Sequence, residues 1–414
     1  MRHRQDRSDV ILSSFKPLIV IFSCLAVLLL YLFSEKLLLE RRLRKIRLRI
    51  CVTGTRGKSS VTRLIASVLR EAGYKTLAKT TGSKPMLILT DGTEKEIGRA
   101  GRPSILEQKK VLSTAAESQS DAAVIEMMSI KAECLRAESE KLLKPHVLII
   151  TNVRLDHLDD MGGTKPEVAK SLAAAITGGS TVLVPEEELL PVFEEAAERT
   201  GSKIVRIPKT LRRQESVQEP RGTGHEFEEN QTIALAVADY LKIDREAAWR
   251  GIEKARPDFG SLKVFKCRLD DPARTCYMAS LFAANDPEST DKALCHLRRQ
   301  WNALPHKTIG LLNLRQDRGD RSLQWIRALE NGFFKGFERL IFIGDHAHAL
   351  GRKRKWSEEA GPNISALPEK DPRKIMDRLF AGESGDAVLI GLGNMGGLGK
   401  KLVDYWARIG TRVS

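Results

Sequence analysis

A chain of 414 residues that is 42% hydrophobic and 29% charged can bury two or three cores, which excludes a disordered chain or a stapled mini-domain. Its six cysteines (Cys24, Cys51, Cys134, Cys267, Cys276, Cys295) include no Cys-x-x-Cys pair and sit at no zinc spacing with histidine, so they read as reduced cytosolic thiols. A formal net charge of +15 calls for an anionic partner, whether nucleic acid, lipid headgroups, nucleotide or an acidic polymer.

In chain order, the first element is an uncharged run, PLIVIFSCLAVLLLYLFS, from Pro17 to Ser34. At about 1.5 Å per residue it is long enough to cross a hydrocarbon core of about 30 Å. The basic segment behind it, EKLLLERRLRKIRLR, outweighs the leading MRHRQDRSD, which predicts a single-pass anchor with the rest of the chain in the cytoplasm. No small-x-small cleavage site follows the run, so an uncleaved anchor is favoured over a signal peptide. Leu37 to Leu48 is expected to lie as an amphipathic basic stretch on anionic lipid. Residues 1–49 are thus read as anchor and juxtamembrane segment.

Past Arg49 strands and helices alternate. Ile50-Cys51-Val52 predicts a buried strand, and Val61, Leu64, Ile65, Val68 and Leu69 fall on one face of a helix that stops near Gly73. Apolar runs at 122–127, 146–153 and 180–185 alternate with helical stretches such as Pro166 to Ile176, which predicts a parallel sheet wrapped by helices. The polar stretch 210–230 reads as a loop, with Asn230 as a candidate cap for the helix carrying Ile233, Ala234, Val237 and Leu241. The Pro- and Gly-bearing EKARPDFGSLKVF suggests a hinge near residue 258. Strands at 307–314, 339–345 and 386–393 follow, with helices from about Thr290 to Trp301, Ser322 to Phe333 and Leu398 to Ile409. The expected fold is α/β: a transmembrane helix, a parallel-sheet ATPase domain over 50–257 that contains a P-loop, and a smaller Rossmann-like domain over 258–414.

The stretch ICVTGTRGKSSVTRL carries the first chemistry. A phosphate needs close backbone N–H groups, a cation and a helix N-terminus behind it. Gly54 and Gly57 allow the approach, Lys58 reaches outer phosphates, and Ser59 can ligate Mg²⁺ as the helix begins. Only Thr55 and Arg56 separate the two glycines, two residues short of the common phosphate loop. A chance glycine-rich turn fits the strand-loop-helix context less well. Glu126 closes a strand on the same edge, where a carboxylate can serve the cation. TNVRLDHLDDMGG then places Asp156, His157, Asp159 and Asp160 at another strand end; a lone histidine there is as easily structural as a metal ligand.

In this order TGTRGKSS, the strand-closing glutamate, TNVRLDHLDDMGG and ENQTIALA resemble the Mur ligase superfamily, over roughly residues 50 to 330. The membrane segment just before the loop, together with KTTGSKP, LTDGTEKEIGRAGRPSILEQ and FAANDPEST, looks most like the catalytic subunits of poly-γ-glutamate synthases. The large sugar-nucleotide domain of the cell-wall ligases is not among the motifs; the anchor stands in its place. The resemblance implies an ATP- and Mg²⁺-dependent ligase that turns a carboxylate into an acyl phosphate and joins it to glutamate. It assigns nucleotide binding to Thr53, Gly54, Thr55, Arg56, Gly57, Lys58, Ser59, Ser60, Asn230, Asn285 and Asp286. Metal binding goes to Ser59, Glu126 and His157 with Thr80 or Thr81, and catalysis to Lys58, Glu126, His157, Asp317 and Arg318. Two positions depart from the pattern: Leu172 stands near the place of a carbamoylated lysine, with Lys170 and Lys165 out of register, and Phe282 stands where cell-wall ligases have an aspartate.

By the same resemblance the partners are glutamate, the growing γ-glutamyl chain and small membrane subunits of an export complex, with homo-oligomerisation open. Anionic lipid is expected from the charge, and nucleic acid is not expected. The nearest rivals are a folylpolyglutamate-type ligase with another acceptor and a membrane-tethered P-loop ATPase that makes no bond. Three weaker features stand outside this reading. Gly391-x-Gly393-x-x-Gly396 reads as a helix-packing turn rather than a dinucleotide fingerprint, DHAH (345–348) as a strand-end loop, and GRKRKW (351–356) as a solvated basic loop.

Overall fold

The structure is a computed structural model and describes the chain except residues 1, 83, 100, 102, 187, 210–227, 259, 269–274, 301–306, 318, 346, 348–360, 381–385 and 414. Arg318, most of the 210–230 stretch, GRKRKW and two residues of DHAH lie outside the described residues.

One helix, α1, runs from Arg2 to Lys45, well past both ends of the uncharged run. From Leu18 to Phe33 its large apolar side chains are exposed, and by length and composition this stretch can cross a membrane. The expectation for Leu37 to Leu48 is corrected. Leu39, Leu43 and Ile46 are buried in the core of the first sheet, so the apolar stripe faces protein, while Arg41, Arg44, Lys45 and Arg47 stay exposed. Burying each of these apolar side chains contributes about 1.5–3 kcal/mol. The helix ends where the Arg49 guanidinium donates to the carbonyls of Leu43 (2.9 Å), which also accepts from Ile46 N–H, and Ile46 (3.0 Å), so acceptors of the last turn are covered.

The following elements are β1 (Leu48–Thr53), α2 (Lys58–Glu71), β2 (Thr76–Thr80), β3 (Met86–Ile88), β4 (Glu94–Glu96), α3 (Glu107–Glu117), β5 (Ala122–Glu126) and α4 (Ala132–Ala137). Then come β6 (Val147–Ile150), α5 (Leu158–Met161), α6 (Lys165–Ala173), β7 (Thr181–Pro185), α7 (Leu190–Thr200), β8 (Lys203–Ile207), α8 (Glu228–Tyr240) and α9 (Arg245–Lys254). The eight strands order as β4-β3-β2-β5-β1-β6-β7-β8, parallel except for the β3–β4 hairpin at one edge. Side chains alternate along β1: Ile50 and Val52 join α2, α8 and α9 on one face, while Cys51 joins α1, α3, α6 and α7 on the other. Because β1 lies between β5 and β6, three strand ends meet at one point, where open α/β sheets hold their ligands.

The second sheet contains β9 (Lys263–Arg268), β10 (Thr275–Ser280), β11 (Thr308–Leu314), β12 (Arg339–Gly344), β13 (Asn363–Ala366), β14 (Ala387–Gly393) and β15 (Thr411–Arg412). Its order is β13-β12-β11-β14-β10-β9-β15, antiparallel only at the β9 and β15 edge. Helices α10 (Pro287–Gln300) and α11 (Gly319–Glu330) cover one face, and Pro372–Phe380 and Leu398–Ile409 cover the other. Phe282 is fully buried and stacks on Trp406 with centroids 5.8 Å apart, so it is a core residue. A Cβ on Gly391, inside β14, would strike the Phe282 ring, so this glycine serves the close packing of that ring on the strand.

Candidate active site

The turn after β1 is held by the strand beside it. Thr55 N–H donates to Asn152 O (3.2 Å), Arg56 N–H to Asn152 Oδ1 (3.0 Å), and Thr151 Oγ1 to Arg56 O (2.6 Å). Both glycines are needed. Gly54, at φ 126°, has Thr151 N 2.9 Å from where a Cβ would sit; Gly57, at φ 76°, would place a Cβ 2.5 Å from Asn230 Oδ1. Gly57 leads directly into α2, whose first turn carries no acidic residue, so its free N–H groups and dipole favour an anion. Lys58 Nζ folds back to donate to Gly54 O (2.7 Å). Desolvation pushes its ammonium below the usual lysine range, against the pull of Glu126 and Asp156.

Beside the loop, Glu126 at the end of β5 is 2% exposed. Its Oε2 accepts from Ser59 Oγ (2.8 Å) and from Thr81 N–H (2.7 Å), which groups three predicted metal residues at one carboxylate. Of the two threonines, Thr80 is buried within β2 and Thr81 reaches the cavity. Hydroxyl and carboxylate oxygens suit a hard cation such as Mg²⁺. His157 adopts φ 49°, with Nε2 3.8 Å from Asp156 Oδ2. Among the described residues no three His, Cys, Asp or Glu side chains form a ready metal cluster.

The second sheet closes the site. Arg56 Nε donates to Asp286 Oδ2 (2.8 Å), and its Nη2 lies 3.4 Å from Asp156 Oδ2. Arg321, on α11, donates to Asp156 Oδ1 through Nη2 (2.9 Å) and to Asn394 Oδ1 through Nη1 (3.1 Å). Burial would raise the Asp156 carboxyl, but Arg56 and Arg321, with His157, hold it well below the usual carboxylate range. A second bridge runs through Arg154, which donates to Ser289 Oγ (2.9 Å) and Glu229 Oε2 (2.8 Å). Asp286 also caps α10 by accepting from Ser289 N–H (2.8 Å), and Asn285 holds φ 62° beside it.

Together these residues wall a cavity of about 1000 Å³. Thr55, Arg56, Gly57, Lys58, Ser59, Ser60, Thr81, Glu126, His157, Asn230, Asn285 and Asp317 all reach it. Thr53 instead is buried at the end of β1, and Gly54 and Asp286 brace the wall from behind. Asn230 is the third residue of α8 and faces Gly57, which corrects its reading as a helix cap. Asp317 is exposed and held by Arg315 at 2.6 Å. Leu172 is buried in the core, Lys165 pairs with Glu288 at 3.3 Å, and Lys170 is exposed. Sequence reasoning passed over Arg154, which lies inside TNVRLDHLDDMGG, and Arg321, three residues beyond Arg318; their partners are 73 to 165 residues away in the chain.

Comparison with known proteins gives three findings. Residues 52–232 match the Mur ligase middle domain and residues 266–409 the poly-γ-glutamate synthase CapB C-terminal domain. The chain is 31% identical over 393 residues to the capsule biosynthesis protein CapB of Bacillus anthracis, covering 93% of this chain and 82% of that protein. It is 30% identical over 391 residues to the PGA synthase CapB of Bacillus subtilis (strain 168), covering 93% and 96%. In fold it superimposes on Mycobacterium tuberculosis folylpolyglutamate synthase, solved with ADP and AMPPCP, at a TM-score of 0.63 and 15% identity, covering 91% and 95%.

Proposed function

The chain belongs to the CapB family of poly-γ-glutamate synthases, and from that premise we propose that its cavity joins glutamate residues at the expense of ATP. It is an ATP-dependent amide ligase that builds poly-γ-glutamate. The observation that carries the mechanism is the meeting, at one strand-end crevice, of the Gly54–Gly57 loop, the Ser59–Glu126 pair and the Arg321–Asp156 bridge from the second sheet.

The γ-phosphoryl group of ATP passes to a terminal carboxylate oxygen, giving an acyl phosphate and ADP. The amine of the incoming glutamate attacks the acyl carbon, loses a proton, and phosphate leaves as the amide forms. Lys58 and the N–H groups of the loop lie where phosphate oxygens gather negative charge, and a fixed cation there lowers the barrier as charge develops. Ser59 and Glu126 would hold a divalent cation, with Thr81 and His157 of the same cavity as further candidate ligands, and the cation would add to the neutralisation of the phosphates. Asn230, packed over Gly57, faces the nucleotide from α8. Arg56, Arg321 and Asp286 hold the two halves together, which keeps water from the acyl phosphate. Asp317 and Arg318 are assigned to the incoming substrate.

We read α1 as the single membrane span, with both sheets on the cytoplasmic side. The exposed apolar run followed by exposed arginines and lysines supports this. Anionic lipid around that collar and small membrane subunits of an export complex complete the proposed setting. Membranes carrying the protein, given ATP, Mg²⁺ and labelled glutamate, are expected to release ADP and phosphate and to make a γ-linked polymer. Release of AMP, or polymer synthesis undiminished in Lys58→Ala, would defeat this reading.

A further inference from the structure

One wall of the cavity is carried by Arg99 and Pro103, in the segment that leads into α3. Glu107 fixes that wall: it accepts from Arg99 Nε (2.7 Å) and Nη2 (3.1 Å) and lies 2.9 Å from Nζ of the fully buried Lys79. Two residues on, Lys109 Nζ donates to Glu35 Oε1 of α1 at 2.6 Å. Just after α3, Asp121 O accepts from Leu48 N–H at 3.0 Å. With contacts at both ends, the last turns of α1 and the whole of α3 run side by side in the same direction.

The joint is stiff. Leu39, Leu43 and Ile46 are buried, Glu40 pairs with Lys144, and Arg49 ties the end of α1 to Leu143 O (3.1 Å) and Lys144 O (3.0 Å). Residues that precede Lys109 therefore extend past Glu35 toward the apolar span. Leu106 lies about 4.5 Å back along that axis. It is 56% exposed, with exposed Pro103 and Ser104 beside it in the chain. On the free side of α1, Leu37 and Leu38 are still 42% and 46% exposed beside the exposed Lys36, so apolar and charged side chains mix at the level of the Lys109 contact, as they do in a headgroup zone. A bilayer whose hydrocarbon covers Leu18 to Phe33 puts its headgroup zone at Glu35 to Leu38, the level that Leu106 reaches.

We propose that the Pro103–Leu106 edge rests in the headgroup zone of the bilayer, so that the Arg99 wall of the cavity opens at the lipid surface. This rests on the reading of α1 as a membrane span. The occupant of the edge is lipid, and Lys110, exposed on the same helix, offers its charge to anionic headgroups. A polyanionic chain leaving past Arg99 then emerges beside α1 rather than into bulk cytoplasm.

The test uses the full chain in phosphatidylethanolamine and phosphatidylglycerol vesicles, in a background with Cys24→Ser and Cys295→Ser. A polarity-sensitive dye is attached in turn at Leu106→Cys, at Leu323→Cys on α11, and at Leu30→Cys in α1. Lipids with a nitroxide near the headgroup are expected to quench the Leu106 and Leu30 sites at least severalfold more than the Leu323 site, with iodide showing the reverse order. Equal iodide quenching at Leu106 and Leu323, with Leu30 protected, would overturn the proposal and leave the membrane span standing. Iodide access at Leu30 would overturn both. The readout needs no catalysis, so failure of the assigned reaction would not mimic either result.

Discussion

Asp156 sits between Arg56 and Arg321, and its behaviour is open to measurement. Its carboxylate accepts from Arg321 and lies against Arg56, all three side chains being at most 14% exposed. Asp156→Asn should cost about 3 kcal/mol, the low end for breaking a buried ion pair, because Arg321 keeps Asn394 and Arg56 keeps Asp286. The pH dependence follows from the lowered carboxyl. An unfolded aspartate takes up a proton near pH 3.9, but the folded one resists until lower pH. The contribution is therefore whole above about pH 4 and is lost as pH falls through the folded value. Urea midpoints of wild type should drop on acidification through that window, and those of Asp156→Asn should drop less. At Lys58, replacement by Ala should lower ATP turnover by on the order of 10²–10³, the usual loss for one charge-stabilising donor, with folding unchanged. Lys58 and Ser59 were legible because loop, cation and hydroxyl are contiguous in the chain. The Arg321–Asp156 pair was not, since 165 residues separate its members and nothing local in the sequence joins the marked Asp156 to Arg321.

Among elements, the buried strands were the most legible. β1, β5, β6, β7, β11, β12 and β14 are continuous apolar runs because helices cover both faces. The β3–β4 hairpin escaped notice: its strands are three residues long, partly exposed, and β4 reads Glu-Lys-Glu. The end of α1 was misjudged for another reason. An amphipathic basic helix has the same pattern whether its apolar stripe meets lipid or protein, and only tertiary packing places Leu39, Leu43 and Ile46 on the core. Leu43→Ala is accordingly expected to destabilise the first sheet by about 2–5 kcal/mol, as buried leucine truncations do. Membrane insertion should not change, because the Leu18–Phe33 run is untouched. Carbonate extraction and denaturant melts of the same preparation check both halves, and loss of insertion would place Leu43 in the membrane instead.

For the molecule as a whole, the two sheets face one cleft and are tied across it by ion pairs rather than by a shared apolar core. Asp286→Asn isolates that tie: the amide oxygen can still cap α10, but the charge opposite Arg56 is gone. The KM for ATP is expected to rise about tenfold, equivalent to about 1.4 kcal/mol, with a larger small-angle scattering radius. An unchanged radius and KM would mean that closure does not depend on this pair. Most direct is the fate of a carboxylate oxygen. With acceptor and incoming glutamate both carrying oxygen-18 in their carboxylates, one labelled oxygen should appear in inorganic phosphate for each amide bond formed, alongside ADP. Label retained entirely in the polymer, or found in AMP, would contradict carboxylate activation at this phosphate loop.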